Sequence, residues 1–589
     1  MLPLPLPEPL DYLAPDGATL PGPGSFVRVE LGPRRLVGVV WEGDCGEVAV
    51  ERLKPVLEVL PTPPLRPELR RFVERVAAYT MAPPGMVLRM AMSVEEALLP
   101  PSPRRVCVTT PAGAEAVEHV EGGVKLTASR RRVLDVLREG GACSAAELAR
   151  RAGCTAGVVR GLLAAGLIAE QWVAAEPSGE PMPDWGPAGP PLSSDQESAA
   201  RRLLDQIETG GFSVTLLDGV TGSGKTETYF AAIAAALKAG RQVLVLLPEI
   251  ALGAQWLGRF RRRFGANAAE WHSEVSQAAR RDTWRAVATG RARIVVGARS
   301  ALFLPFAELG LIVVDEEHDP SYKQEDGVCY QARDMAVLRA SLAGIPIVLV
   351  SATPSLETTV NVARERYQRV HLPRRHAMAS LPRIDLVDMR RERLEAARFL
   401  SPPVVAALRE TLAAGEQALL FLNRRGYAPL TLCRACGHRF QCPNCTSWLV
   451  EHRFTHRLIC HHCGYAAPIP ALCPECLAAG TLVPCGPGVE RINEEVAARF
   501  PGARIALMVS DLLTGPRAAA ELAEAMTERR YDVLIGTQIV AKGHHFPMLT
   551  LVGVVDADLG LIGGDLRAAE RTYQLLHQVA GRAGRAERP

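Results

Sequence analysis

The sequence predicts a multidomain α/β protein: two parallel-sheet lobes in tandem, preceded by a β-rich N-terminal domain and a winged helix, and interrupted by a cysteine-rich insertion. Three observations predict it. A phosphate-binding loop stands between an apolar strand and an Ala-rich helix. Apolar strands alternate with helices through two successive stretches. Eight of the 14 cysteines fall between residues 433 and 476 as four Cys-x-x-Cys pairs.

A chain of 589 residues accommodates several separate cores. Its formal charge of +3 is nearly neutral for that length, so any nucleic-acid surface must be local. Of the 67 basic residues only six are lysines, and three of those, Lys225, Lys323 and Lys542, fall inside motifs. The opening MLPLPLPEPLDYL has no basic region and is broken by prolines, unlike a signal peptide. No run of about 18 apolar residues suggests a membrane span. The expectation is a cytoplasmic protein without membrane contact, in which clustered cysteines bind metal rather than pair as disulfides.

Residues 24 to 60, with GSFVRVELGPRRLVGVVWEG and VAVERLKPVLEVL, read as short strands separated by Gly and Pro. Residues 125 to 171 carry three short helical periods joined by Gly-containing turns, the pattern of a winged helix. The Pro- and Gly-rich AEPSGEPMPDWGPAGPP, residues 175 to 191, reads as a linker. Beyond it TLLDG, VLVLLPE, RIVVGARS, LIVVDEEHD and IPIVLVSATPS are near-continuous apolar strands ending in polar residues, as strands of a parallel sheet covered on both faces do. ALLFLNRRG, RIALMVS, DVLIGTQ and LTLVGVVDADLG repeat the pattern, and the Cys cluster interrupts this second lobe after its first strand.

DGVTGSGKTETY meets the pattern G-x-x-x-x-G-K-[ST] with Gly219, Gly224, Lys225 and Thr226. Amides at Gly222, Ser223 and Gly224 line such a loop, and the positive end of the following helix lies behind them. Lys225 is expected to reach the β- and γ-phosphates of ATP and Thr226 to ligate Mg²⁺. In LIVVDEEHD, Asp315 is the second candidate for Mg²⁺ and Glu316 the group that orients or deprotonates water. SATPS offers Ser351 and Thr353 as a link between nucleotide site and neighbouring lobe. Arg582 and Arg585, in QVAGRAGR, are candidates for stabilising charge on the transferred phosphoryl from the second lobe.

The cysteine pairs are Cys433/Cys436, Cys442/Cys445, Cys460/Cys463 and Cys473/Cys476. Four pairs make two sites of four thiolates, each closed around a structural Zn²⁺. Spacing alone leaves three ways of joining them.

The set GVTGSGKT, DEEH, SATPS, GTQIVAKG and QVAGRAGR resembles superfamily 2 helicases; with SYKQ, FLNRRGYAP and the four-pair Cys cluster it resembles the PriA family of primosomal replication-restart helicases. The resemblance implies a 3′-end-binding domain over residues 1–105, a winged helix over 106–174, a linker over 175–191, and a RecA-like ATP-binding lobe over 192–378. It further implies a second RecA-like lobe over 379–432 and 486–589, split by a zinc-binding insertion at 433–485, with the family's usual C-terminal domain absent. It implies a nested cysteine arrangement: the inner Cys442, Cys445, Cys460 and Cys463 share one ion, the outer four the other. Gln196 corresponds to a glutamine that contacts adenine, and Asp11 to a residue that recognises the 3′-terminal base. Arg299, Tyr322, Lys323, Arg333 and Lys542 correspond to DNA-contacting positions. The implied activity is that of a DNA-dependent ATPase and 3′–5′ helicase that binds forked and single-stranded DNA. Its implied protein partners are a single-stranded DNA-binding protein and helicase-loader proteins of the primosome. The alternative is a fork-binding scaffold with a weak or vestigial motor.

Two stretches depart from the family pattern. In SYKQEDGVCYQARD, Cys329 and Gln331 replace an arginine and a histidine of the loop that couples DNA contact to hydrolysis; SDLLTG around Asp511 replaces a more polar stretch.

Overall fold

The computed structural model describes residues 1–589 apart from 15–19, 44–47, 100–102, 119–125, 174–184, 186–188, 249–253, 376–381, 393, 396–397, 423–429, 434, 446–447, 453–456, 461–462, 486–487, 510–515, 538–539, 541–545, 562–565 and 585–589. The chain forms two compact units. One comprises residues 1–3, 9–65 and 92–182; the other takes 4–8, 66–91 and 183–589. Residues 1–105 are therefore divided between the units. The cause lies in the amphipathic helices Pro67–Thr80 and Pro84–Ala91: Phe72 packs on Phe303 with ring centroids 5.2 Å apart, and Trp284 Nε1 donates to the Ala91 carbonyl at 2.9 Å.

In the smaller unit, strand Phe26–Leu31 pairs antiparallel with both Arg34–Val39 and Glu58–Val59. Leu13 is bound to the rim beside this sheet through Leu13 N to Lys54 O at 2.9 Å and Val56 N to Leu13 O at 3.0 Å. The winged-helix expectation covers helices Ala128–Gly140, Ala145–Arg151 and Ala156–Ala164, followed by strand Ile168–Val173. Thr127 and Ser144 start the first two by accepting amides from Arg130 and Glu147, the bonds an N-cap supplies to otherwise orphaned donors. Strand Arg104–Thr109 pairs antiparallel with Ile168–Val173 to complete the wing.

In the larger unit the two predicted sheets are both present and wholly parallel. The first has seven strands in the order Gln368–Leu372, Ser213–Gly219, Pro346–Ser351, Leu309–Val314, Gln242–Leu246, Ile294–Gly297, Ala269–Trp271. Gln242–Leu246 and Pro346–Ser351 are buried along their whole length and Leu309–Val314 from Leu311 onward, which is why they read as unbroken apolar runs. Phe230, Ile233, Trp256, Phe260 and Phe264 fill the core on one face. The second sheet has four strands in the order Ile505–Met508, Val533–Gly536, Gln417–Leu422, Leu549–Val555. Such lobes present the carboxyl ends of their strands as the place where ligands bind.

The insertion leaves the second sheet after Gln417–Leu422 and is bounded by paired strands Leu430–Cys433 and Leu482–Cys485. Its eight thiols form two groups, Cys433/Cys436/Cys473/Cys476 and Cys442/Cys445/Cys460/Cys463, which is the nested arrangement. Thiolates about 2.3 Å from a tetrahedral Zn²⁺ lie about 3.8 Å from one another. Here the cross-pair sulfurs are 3.6 Å (Cys433–Cys476), 3.7 Å (Cys436–Cys473), 3.4 Å (Cys442–Cys463) and 3.4 Å (Cys445–Cys460) apart, so the residues fit such an ion. Three of the turns share one backbone form. Cys433, Cys460 and Cys473 each accept an amide bond from the residue four positions on: Gly437, Gly464 and Leu477. All three donors are left-handed, with φ of 76°, 77° and 57°, so the third turn holds a leucine where glycine is unstrained.

Elemental analysis of protein freed of loosely held metal should return two zinc equivalents per chain, and Cys442→Ser should return one. Nucleotide binding should survive that substitution, because the phosphate loop belongs to the other lobe. Zero or one equivalent in the unsubstituted protein would contradict the two-cluster reading.

Candidate nucleotide site between the two lobes

The phosphate loop follows the strand Ser213–Gly219 and leads into the helix Lys225–Lys238. Gly222 and Gly224 hold φ of 86° and 81°, values that favour glycine and turn successive amides toward one point. Lys225 Nζ now donates to the Gly219 carbonyl at 2.8 Å, a placement from which a phosphate oxygen can draw it away. Gln196 is buried at the start of the helix Ser194–Thr209. Its side chain closes a capping box with Ser193 and donates to the Ser223 carbonyl at 2.8 Å. A Cβ on Gly224 would stand 2.2 Å from Gln196 Nε2, so this glutamine fixes the loop as well as standing at its edge.

The acidic strand end faces the loop. Asp315 Oδ2 accepts from the Tyr229 hydroxyl at 2.8 Å, and Thr226 bonds the same hydroxyl. Thr226 and Asp315, the two expected Mg²⁺ ligands, thus converge on one point, and their hard oxygens suit that cation. Trp256 donates to Tyr229 from behind at 2.7 Å, and Tyr322 donates to the Asp315 carbonyl at 2.6 Å. Removal from water and the neighbouring Glu316 raise Asp315 to about 6. Glu316 itself has φ of 46°, strained backbone of the kind that persists where function holds it. Its Oε2 is shielded from solvent, makes no hydrogen bond among the described residues, and lies 3.7 Å from His318 Nδ1.

His318 joins this acid to both lobes. Its Nδ1 bonds Ser351 Oγ at 2.7 Å, and Gln578 of the second lobe bonds its Nε2 at 2.6 Å. Ser351 Oγ also accepts the Thr353 amide at 2.9 Å, while Gln574 donates to the Thr353 carbonyl at 3.3 Å. The expected link through Ser351 and Thr353 is therefore a set of hydrogen bonds. The helix Ala568–Ala580 carries these glutamines and ends at Gly581, which lies against the phosphate loop: a Cβ there would meet Thr221 at 2.7 Å. Gly581 has ordinary helical backbone, so close approach, rather than conformation, demands glycine. Arg582 follows, buried next to Glu316; burial lowers it to about 10 and the carboxylate opposes the fall.

The DNA-contact expectations divide. Tyr322 and Arg333 are buried, 1% and 4% exposed. Tyr322 supports Asp315. Arg333 donates to Glu317 at 3.3 Å and to Ser355 Oγ at 2.5 Å; burial works to lower it, but Asp334, Glu317 and Glu357 hold it above the usual arginine range. Both side chains brace the acidic loop, where an apolar strand end leaves a buried carboxylate, Glu317, that needs a cation. Lys323 is exposed, and Arg299 fastens its loop by donating to the Ser321 and Lys323 carbonyls at 3.0 and 2.8 Å. Asp11 is half-buried near the N-terminal sheet. Arg585, Lys542, Gly543 and Asp511 lie outside the described residues. Sequence reasoning missed Tyr229, Glu317, Gln574 and Gln578; only Tyr229 left a signal, its spacing of one helical turn from Thr226.

Gly581→Ala should keep the helix yet force the second lobe off Thr221. ATP hydrolysis at saturating ATP should then fall by at least about tenfold, as displaced reacting groups cost, while ATP binding stays within a few-fold. A variant with unaltered turnover would show that this approach is unnecessary.

Comparison with known proteins agrees with this geometry. Residues 193–362 match the DEAD/DEAH box helicase family, residues 1–93 the PriA 3′ DNA-binding domain, and residues 442–468 the Cys-rich region domain of the PriA DNA helicase. The replication restart protein PriA of Rickettsia felis is 51% identical over 398 residues, 68% of this chain and 61% of that protein. The PriA of Bacillus subtilis is 40% identical over 482 residues, 81% of this chain and 60% of that protein. The chain thus spans about three fifths of the length of these relatives. The PriA of Haemophilus influenzae is 36% identical over 602 residues, which takes in 100% of this chain and 80% of that protein. On its helicase lobes, its nested cysteine clusters and this similarity, the chain belongs to the PriA family of replication restart proteins.

Proposed function

We propose that this chain is a DNA-dependent ATPase that moves 3′ to 5′ on single-stranded DNA, recognises abandoned replication forks, and begins assembly of the primosome there. The observation that carries the motor reading is Arg582, delivered by the second lobe to within the field of Glu316 in the first. Hydrolysis that needs both lobes converts chemistry into relative motion.

Lys225 exchanges the Gly219 carbonyl for the β- and γ-phosphates. Mg²⁺, held by Thr226 and Asp315, would offset the charge of those phosphates. Glu316 Oε2, which makes no hydrogen bond among the described residues, accepts a proton from water as the water oxygen bonds the γ-phosphorus. The bond to the β,γ-bridging oxygen breaks, giving ADP and phosphate. Arg582 counters the charge spread over the equatorial oxygens, where such an arginine contributes most. Loss of the γ-phosphate then removes one attraction between Arg582 and the first lobe, and His318 feels the change from both sides through Gln578 and Ser351.

Fork recognition is assigned to the N-terminal domain, with Asp11 accepting a hydrogen bond from a 3′-terminal nucleotide. The similarity of residues 1–93 to a 3′ DNA-binding domain supports it. A single-stranded DNA-binding protein and helicase-loader proteins are the partners the family suggests. No helix among the described residues is long and apolar enough to cross a membrane, and the cytoplasm is the compartment proposed.

Lys225→Ala and Glu316→Gln should each lower ATP hydrolysis by about 10²-fold or more, as loss of groups acting on the transferred phosphoryl does; fork binding should survive both. Asp11→Ala should weaken binding to forks with a leading-strand 3′ end at the junction and leave forks without one nearly unchanged. Hydrolysis indifferent to DNA at every concentration would replace the motor with the scaffold reading; equal loss on both forks would remove Asp11 from end recognition.

A further inference from the structure

Arg375 belongs to none of the motifs legible in the sequence. It stands three residues beyond Gln368–Leu372, the last strand of the first sheet, where the chain leaves that lobe for the second. Its side chain is buried at 7% exposure and its guanidinium reaches the opposite lobe. Nη1 donates to the carbonyls of Ala583 and Gly584 at 2.8 and 2.9 Å, and Nη2 to that of Gly581 at 3.2 Å. These are the carbonyls around Arg582, at the end of the helix Ala568–Ala580. Carbonyls at a helix C-terminus lack intrahelical donors and gather partial negative charge.

Gly581 lies on Thr221 of the phosphate loop, so the backbone that carries Arg582 and these carbonyls stands beside the loop that would seat a triphosphate. A guanidinium is suited to this place: a planar fork of donors can serve several carbonyls at once, and it stays charged when buried. The stem of Arg375 meanwhile passes beside the loop itself, its Cγ 3.9 Å from where a Cβ on Gly222 would stand. The preceding residue fastens the segment on its other side. Arg374 forms a two-pronged ion pair with Asp195, at 2.7 and 2.8 Å, one residue before Gln196. The arginine pair thus spans from the helix that braces the loop to the turn that bears Arg582.

We propose that Arg375 is a positioning residue for hydrolysis. From the interlobe linker it satisfies the carbonyls of Gly581, Ala583 and Gly584, offsets their partial charge beside the phosphates, and sets Arg582 at the γ-phosphate. It touches no reacting atom. Arg375 acts on the closed arrangement of the lobes, and its effect therefore falls on turnover and hardly on ATP capture. The role rests on the ATPase reading above.

The test compares unsubstituted protein with Arg375→Ala and Arg375→Lys in steady-state ATP hydrolysis at saturating single-stranded DNA. The alanine variant should lose at least about tenfold in kcat, a loss typical of misplaced catalytic groups, with KM for ATP changed less than about threefold. Lysine, a cation without the fork, should restore part of the loss. Amide hydrogen exchange on the nucleotide-free proteins gives a second readout. In Arg375→Ala, protection over residues 568–584 should fall while the helix Lys225–Lys238 keeps its own. Turnover equal to the unsubstituted protein, or unchanged protection over 568–584, would overturn the proposal. Absence of hydrolysis in the unsubstituted protein would contradict the ATPase reading instead, and exchange alone would then decide whether Arg375 holds the turn.

Discussion

Charge held away from water is the constraint on which the site depends. Arg375 and Arg582 are each 7% exposed, and Lys225 is half-buried against carbonyls of its own loop. Against them stand Asp315, pushed up to about 6, and Glu316, whose shielded Oε2 makes no hydrogen bond among the described residues. Ionised groups withdrawn from water are costly unless paired. A triphosphate brings the charge that Lys225 and Arg582 can use, and a divalent cation would bring what Asp315 can use. The cleft is therefore organised around a ligand that is both strongly anionic and metal-binding.

Among the described residues, polar groups fasten the lobes to each other. Buried Glu317 binds Arg333, Ser355 and Thr358; Arg333 also lies 3.8 Å from Glu357, and Glu357 pairs with Arg567 of the second lobe. Glu570, one turn on, accepts the Leu356 amide at 2.9 Å. His318 makes the parallel connection from Glu316 to Gln578. The Glu357–Arg567 pair across the lobes is exposed, and such pairs are individually weak and exchange readily with water. An interface built from them can open and close within each catalytic cycle, whereas an extensive apolar one would stay shut.

Much of this was legible before any coordinates. Parallel strands buried on both faces leave continuous apolar runs, so both sheets and their order along the chain could be read. The phosphate loop and acidic strand end carry their chemistry in a few adjacent residues, and these do converge. Cysteine spacing fixed the number of clusters but not the partners, since three joinings satisfy it; the nested one needed family resemblance. What stayed illegible depends on distance along the chain. Arg375 and Gly581 meet across 206 residues, and nothing local marks either as half of a pair. The bracing bonds of Tyr322 and Arg333 to the acidic loop likewise come from tertiary burial that no local pattern marks. The helices Pro67–Thr80 and Pro84–Ala91 follow the N-terminal strands in sequence, yet their apolar faces find the ATP-binding lobe.

The central claim is that the second lobe completes the catalytic site of the first through Arg582. Single-turnover hydrolysis of ATP bound to Arg582→Ala, measured with saturating single-stranded DNA beside a parallel determination of ATP affinity, tests it most directly. An arginine that stabilises the transferred phosphoryl from a neighbouring lobe contributes about 10³-fold or more to that step. The account predicts a loss of that order with ATP affinity within a few-fold of the unsubstituted protein. Hydrolysis within about threefold of the unsubstituted rate would contradict it, for the charge developing on the phosphoryl would then be met without the second lobe.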